Sequence, residues 1–205
     1  RIHEAYTGID IGKKKRLSTF AHHYGYVYKN EDEKKAKSIR NRELLELECE
    51  EYPKDMRIRH QLMMDYYGLK QYDEAIECAL EGIKIKSDSQ YWDALHTDLL
   101  YCLQAQKKWD ELIEYGERFL KDNLFPFDEF GVRQYLICAY WSTNQYIKVC
   151  GLASAVINTY RDYKKNPDKY DANQLMRDEF WQENNISKML LFIIDSALAS
   201  CDEEV

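Results

Sequence analysis

Glycine and proline are scarce in this sequence, with 8 Gly and 3 Pro among 205 residues. Few turns can therefore need unusual backbone angles, and a fold of many short strands joined by tight turns is disfavoured. Long helices are the structure that this composition favours. The hydrophobic fraction of 45% and the charged fraction of 32% are ordinary for a chain that folds around a core.

Long hydrophobic runs and metal-ligand spacings are also lacking. The most apolar stretch, residues 186–199, has about 14 residues and is too short to span a bilayer, and no signal peptide is recognisable. The cysteines show neither CxxC nor Cys/His spacing and lie at apolar positions of helical patterns, as small hydrophobic residues do. Reduced thiols predict a cytoplasmic location. These cysteines are Cys49, Cys78, Cys102, Cys138, Cys150 and Cys201.

Basic charge is in short supply over most of the chain. The net charge is -7, and residues 61–205 carry 25 acidic against 15 basic side chains. Such an acidic body argues against nucleic-acid binding, which needs a basic surface for the phosphates. The basic run at residues 13–16 is the local exception, either a solvated loop or a segment that faces an anionic surface.

The common catalytic and nucleotide-binding motifs are missing. No P-loop, GxGxxG, GxSxG or HExxH sequence occurs, so the sites that depend on them have no support. His22 and His23 are adjacent, and neighbours on a strand point to opposite faces, so the two could not share a metal without a bend.

A pattern with a period of 37 residues is present instead. An aromatic side chain follows a predicted turn at Tyr72, Trp109 and Tyr146, and a helical pattern follows each aromatic. A period of about 34 residues is typical of tetratricopeptide repeats, so each unit has a few extra residues. The repeat predicts a mainly all-α fold, a superhelix of antiparallel helix pairs over residues 34–163.

The first unit resembles the tetratricopeptide repeat family most closely. In that family small residues on the second helix let the first helix pack closely, and Ala75 and Gly82 have this role here. Tyr66 and Tyr72 are expected to fill the gap between adjacent helix pairs, and Asp73 to cap the second helix. The residues that carry the resemblance are Leu62, Tyr66, Tyr72, Ala75, Ala79 and Gly82.

The two later units keep the helical pattern with fewer small residues. A further helix is predicted on each side, over residues 34–52 and 173–200, and residues 164–205 are expected to form a loop and capping helices. The matching positions are Leu99, Leu103, Trp109, Leu112, Gly116 and Phe119, then Leu136, Tyr140, Tyr146, Val149, Ala153 and Val156.

The N-terminal segment differs from the repeats. Residues 1–28 lack the helical period, and 17–21 and 24–28 are strand candidates. Such a short β-like segment has too little apolar surface to fold alone and needs a partner.

Four short motifs in this region occur in a recognisable order: RIHE at residues 1–4, HYGY at 23–26, RNxxLL at 40–45 and PKD at 53–55. Together they resemble the end of a family-two glycosyltransferase, in a branch whose catalytic domain leads directly into tetratricopeptide repeats. The resemblance implies that residues 1–33 end a catalytic domain and that the chain is the C-terminal part of a larger protein.

The full-length protein would then be an inverting nucleotide-sugar transferase that uses a divalent metal, with its acidic metal-binding motif and general base upstream. His3 and Glu4 match the family motif behind the sugar-donor site, and His23 lies in its final strand. All three could instead be structural polar residues at a domain edge. The chain alone is expected to hold no cofactor and to be inactive.

Two functions follow as hypotheses. The repeats could bind a protein or peptide acceptor, or mediate homo-oligomerisation, beside a transferase domain; alternatively, the chain is a stand-alone adaptor for partner proteins. Some tetratricopeptide domains clamp a peptide carboxylate with asparagine on the first helix of each repeat. Met64, Tyr101 and Cys138 occupy those positions here, so we expect no such clamp.

Overall fold

The computed structural model describes residues 30–121, 126–170 and 182–202. The described residues form an all-α, repeat-like fold without strands, as the sequence predicted. The strand candidates lie outside the described residues. The helices are α1 (Glu31–Glu51), α2 (Met56–Gly68), α3 (Tyr72–Ile85), α4 (Gln90–Ala105), α5 (Trp109–Phe119), α6 (Pro126–Ser142), α7 (Tyr146–Lys165) and α8 (Glu183–Asp202), and a 3-10 turn spans Pro167–Lys169.

The same turn joins the two helices of each pair. One residue of each turn is left-handed, with φ of 60° at Lys70, 55° at Lys107 and 59° at Asn144. The next N–H in each turn donates to the carbonyl five residues earlier, at 2.8–2.9 Å. This bond closes the end of a helix in the Schellman arrangement. The 37-residue period of the sequence is therefore also the spacing at which this turn recurs in the backbone.

Helix contacts define the direction in which the array curves. Helices α2, α4, α6 and α8 each contact the next member of that set, whereas α3, α5 and α7 make no comparable contact with one another in the described chain. The array is thus tighter on the α2–α4–α6–α8 side and forms a groove there. Helix α1 packs on α2 as α3 packs on α4.

Small residues let neighbouring helices approach closely. A Cβ at Gly82 would lie 2.6 Å from Cδ of Arg59 on α2 and 2.4 Å from Cδ1 of Leu95 on α4. At Gly116 a Cβ would lie 2.7 Å from Cδ2 of Leu136 on α6. A methyl group at either place would force the neighbouring side chain to shift. The other repeat positions at Leu62, Ala75, Ala79, Leu99 and Leu136 are buried.

Asp73 lies in the first turn of α3, as predicted for a first-turn acid, but its side chain does not cap the helix and instead links two successive turns. The N-cap of α3 is Gln71, without a side-chain capping bond. The carboxylate of Asp73 instead accepts hydrogen bonds from Lys108 Nζ at 2.9 Å and Gln106 Nε2 at 3.0 Å. Both donors belong to the turn between α4 and α5, which brings one turn against the next.

Two buried carboxyl groups lie in the first turns of α4 and α6. Asp93 and Asp128 are both buried. Burial, together with the negative charges of Asp128 and Asp88, raises the pKa of Asp93 from 3.8 to about 7. At neutral pH a substantial fraction of Asp93 is therefore protonated, and ionising it works against folding.

We expect Gly116→Ala to lower the free energy of unfolding by about 1–3 kcal/mol, because the new methyl group would overlap the fully buried Leu136. Gly151→Ala is the matched control: it lies on α7, and its Cβ would meet nothing within 4 Å. That change should stabilise the helix by about 0.5–1 kcal/mol. Urea unfolding followed by circular dichroism measures both, and equal effects at the two sites would contradict the packing account.

We expect Asp93→Asn to raise the free energy of unfolding at pH 8 by about 1–3 kcal/mol, measured by thermal unfolding. Because the folded pKa lies above the unfolded value, protonated Asp93 favours folding below about pH 4, and this contribution is lost as pH rises through 7. The gain should therefore vanish at pH 4.

Asp73→Asn serves as the control of opposite sign. Hydrogen bonds from Lys108 and Gln106 hold the pKa of Asp73 below its usual value. Its contribution is present above about pH 4 and is lost as pH falls through the lowered folded pKa, so this variant should melt lower than the native chain at pH 8, and the difference should shrink as the pH falls below about 4. A gain at pH 8 from both variants would contradict these assignments.

Candidate protein-binding groove

The groove on the α2–α4–α6–α8 side is a series of three connected hollows. Met64 borders the first and the second hollow, and Tyr101 borders the second and the third, so the surface is continuous. The first is lined by Arg57, His60, Gln61, Met64 and Tyr91. The second is lined by Met63, Met64, Tyr67, Asp98, Tyr101 and Cys102.

The third hollow lies between α4, α6 and α8 and has a volume of about 200 Å³. It combines amide, phenol and aromatic side chains with one ammonium group, and no carboxylate lines it. Such a surface can pack apolar side chains and form hydrogen bonds with a peptide backbone. Its lining residues are Tyr101, Gln104, Gln134, Tyr135, Cys138, Asn185, Lys188, Met189 and Phe192.

The period of the backbone places one equivalent side chain of each repeat in the groove. Met64, Tyr101 and Cys138 are spaced by 37 residues on α2, α4 and α6, and all three line a hollow. A thioether, a phenol and a thiol occupy this recurring position. The centre of the groove is therefore suited to apolar and phenolic contacts rather than to charge pairing.

A pair of tyrosines crosses from α2 to α4 in the second hollow. The hydroxyl of Tyr67 donates to that of Tyr101 at 2.8 Å, and the rings meet edge to face with centroids 4.9 Å apart. Burial and the hydrogen bond to Tyr101 raise the pKa of Tyr67 well above its usual value. Tyr67 is therefore neutral at physiological pH, and the pair offers hydroxyl groups to a ligand.

A histidine and an aspartate also join α2 to α4. His60 Nε2 lies 3.1 Å from Asp98 Oδ2, with both side chains largely buried. The His60 ring lies 5.6 Å from that of Tyr91. The basic side chain of Arg57 lies at the same end and is paired with Asp55 at 3.5 Å. The first hollow therefore combines the basic side chain of Arg57 and the imidazole of His60 with the apolar Met64 and the Tyr91 ring.

Helix α8 completes the far end of the groove. The rings of Trp141 and Phe192 stack with centroids 4.5 Å apart, and Trp141 Nε1 donates to Asp195 Oδ2 at 2.6 Å. Lys188 Nζ lies 5.7 Å from the Phe192 ring centroid. On the floor of this hollow, Gln104 Nε2 lies 3.1 Å from the sulfur of Cys138.

The sequence-predicted candidates fall into two groups. His3, Glu4 and His23 lie outside the described residues. The repeat-packing residues lie between helices: the Tyr66 hydroxyl donates to Glu46 of α1 at 2.7 Å, and the Tyr140 hydroxyl donates to Glu117 at 2.6 Å. Tyr72 lies against Tyr67 of its own pair, Trp109 is half-buried against the core, and the Tyr146 hydroxyl donates to Asn144.

Sequence reasoning missed several groove residues. Tyr67 and Gln104 lie three residues after Met64 and Tyr101, and therefore on the same helix face, so the helical period could have found them. The contribution of α8 had no such signal, because its sequence lacks the repeat pattern.

No protein-family model matches the chain, and no curated protein or solved structure matches it either. Within the described ranges, no group of three His, Cys, Asp or Glu side chains could hold a metal ion. None of the described helices combines the length and the apolar character needed to cross a membrane.

We expect Tyr67→Phe to lower the free energy of unfolding by about 0.5–1.5 kcal/mol, because it leaves the half-buried Tyr101 hydroxyl without this partner. Tyr146→Phe is the control, since its hydroxyl bonds to Asn144 in an exposed turn. Its effect should stay within about 0.5 kcal/mol. Urea unfolding compares the two, and an equal loss would contradict a special role for the pair in the groove.

Proposed function

We propose that this chain is a protein-recognition domain of the tetratricopeptide type that binds a segment of a partner protein along the α2–α4–α6–α8 groove. The observation that carries the proposal is the continuity of three hollows, joined through Met64 and Tyr101. A groove that crosses four helices suits an elongated ligand better than a compact small molecule.

The chemistry of the lining supports a peptide as the ligand. Met64 is 40% exposed, although it is apolar and lies where two hollows meet. Unbranched thioether side chains adapt to different apolar partners. The amides of Gln104, Gln134 and Asn185 provide both donors and acceptors, which match the N–H and C=O groups of a peptide backbone.

In the full-length protein, we propose that the groove holds the acceptor of a family-two glycosyltransferase domain. The support for this step is the set of motifs in residues 1–55, and the nucleotide sugar and divalent metal would bind in the upstream domain. A stand-alone adaptor would use the same groove without the transfer reaction. We propose a cytoplasmic location for either form.

We expect Met64→Glu to weaken peptide binding by about tenfold or more, because a carboxylate would replace an apolar contact at the junction of two hollows. The probe is a fluorescent peptide selected from a random library on the native chain, with binding followed by anisotropy. Ile147→Glu is the matched control: Ile147 is 74% exposed on α7, away from the groove residues.

The groove assignment would be contradicted if the two variants lost binding equally, or if neither lost any. The acceptor role needs a second measurement with the full-length protein. There, Met64→Glu should reduce sugar transfer to the selected peptide and leave hydrolysis of the sugar donor unchanged. If the peptide binds in the groove and is never a transfer substrate, the adaptor alternative is the correct one.

A further inference from the structure

Helix α8 exposes an unusually apolar stripe. Leu191 and Leu198 are each 64% exposed and Ile194 is 56% exposed, whereas the opposite face of the helix is buried through Ile186, Met189 and other residues. Ser187 and Cys201 extend the stripe at its two ends and are also exposed. We call these five residues, Ser187, Leu191, Ile194, Leu198 and Cys201, the α8 seam.

The seam arises because α8 has fewer neighbours than the equivalent inner helices. Helix α4 contacts α2, α3, α5 and α6, and α6 contacts α4, α5, α7 and α8. In the described chain α8 contacts only α6 and α7. The groove residues of α8, among them Met189 and Phe192, lie on another face of the helix, so the seam is separate from the proposed peptide site.

The spacing of the seam is that of a helix-pairing surface. Successive members are separated by 4, 3, 4 and 3 residues, which keeps them on one face and is the pattern of a coiled-coil seam. The order is also close to symmetric about Ile194, with a leucine on each side and a small polar residue or thiol beyond. A self-complementary surface is what a two-fold dimer requires.

We propose that the α8 seam pairs in antiparallel fashion with the α8 seam of a second copy of this chain, independently of what the groove binds. In this register Ile194 meets its equivalent, Leu191 lies opposite Leu198 of the second copy, and Ser187 lies opposite Cys201. Antiparallel helices also place opposite ends of their dipoles together.

Charged residues also lie beside the seam. Lys188 and Asp195 are both exposed and are seven residues apart, so they lie on the same flank of α8. In the antiparallel pair, Lys188 of one copy lies on the same side as Asp195 of the other, with an axial offset of roughly 8 Å. Both Lys188–Asp195 pairs lie on this one flank, where the two Asp195 side chains are offset by only roughly 3 Å along the axis, so the pairing depends on the apolar stripe rather than on charge.

Two other surfaces are less suitable for this pairing. On α1, Leu44 and Leu47 are exposed, but Arg40, Glu43 and Glu50 surround them with charge. Ile147 on α7 is isolated. A single helix pair falls at or below the lower end of specific interfaces, about 1,200 Å² of total buried surface, so the dimer should be weak and reversible.

Sedimentation velocity of the whole 205-residue chain over a range of concentrations tests the proposal. The native chain should show a monomer–dimer equilibrium, and Ile194→Lys should weaken it by about tenfold or more. Ile147→Lys is the matched control and should leave the equilibrium unchanged. Circular dichroism of both variants checks that they fold, which their exposed positions favour.

A Ser187→Cys variant tests the register. Under mild oxidation it should form a covalent dimer through Cys201 of the second copy, because the two positions lie opposite each other. Adding Cys201→Ser should prevent the link. A native chain that is monomeric at every concentration would overturn the proposal. So would association that Leu47→Lys abolishes and Ile194→Lys does not, or covalent dimers formed through Cys201 alone, which indicate parallel pairing.

Discussion

The close approach of consecutive helices at two glycines is the constraint on which the rest of the structure depends. Gly82 allows α3 to lie against both Arg59 and Leu95, and Gly116 allows α5 to lie against Leu136 of α6. These approaches bring α3 and α5 against the inner helices, and α2, α4, α6 and α8 contact one another in sequence. The groove exists because those four helices form one surface.

Two acidic side chains, Asp73 and Glu117, connect neighbouring repeats. Asp73 is bonded to Lys108 and Gln106, and Glu117 accepts hydrogen bonds from the Tyr140 hydroxyl at 2.6 Å and Lys148 Nζ at 3.0 Å. These links join one unit to the next at the surface, where each is worth little singly. The third hollow, by contrast, is lined without any carboxylate. The negative net charge is thus carried outside that part of the groove.

The groove and the α8 seam use the same helix for two purposes. One face of α8 completes the third hollow through Lys188, Met189 and Phe192, and another face presents Leu191, Ile194 and Leu198. A dimer through the seam would hold two grooves in one assembly. Two linked sites raise the effective concentration of a partner that carries two binding segments, without any new contact in either groove.

The sequence by itself determined the helical repeat. Three features indicated it: scarce glycine and proline, the 37-residue spacing of Tyr72, Trp109 and Tyr146, and the small residues at Ala75 and Gly82. They act locally or between helices close in sequence, so a single sequence is enough to detect them. The same spacing indicated Met64, Tyr101 and Cys138 as equivalent positions. It did not show that Asp73 bonds to the next turn rather than to its own helix.

Only the tertiary structure decided which side chains meet across the groove. The contacts of Tyr67 with Tyr101, His60 with Asp98 and Trp141 with Phe192 join residues 34 to 51 positions apart. Such distances depend on the rotation of one helix pair against the next, which no local pattern encodes. The place of α8 beside α6, which completes the third hollow and exposes the seam, depends on the same rotation, because its sequence carries no repeat signature.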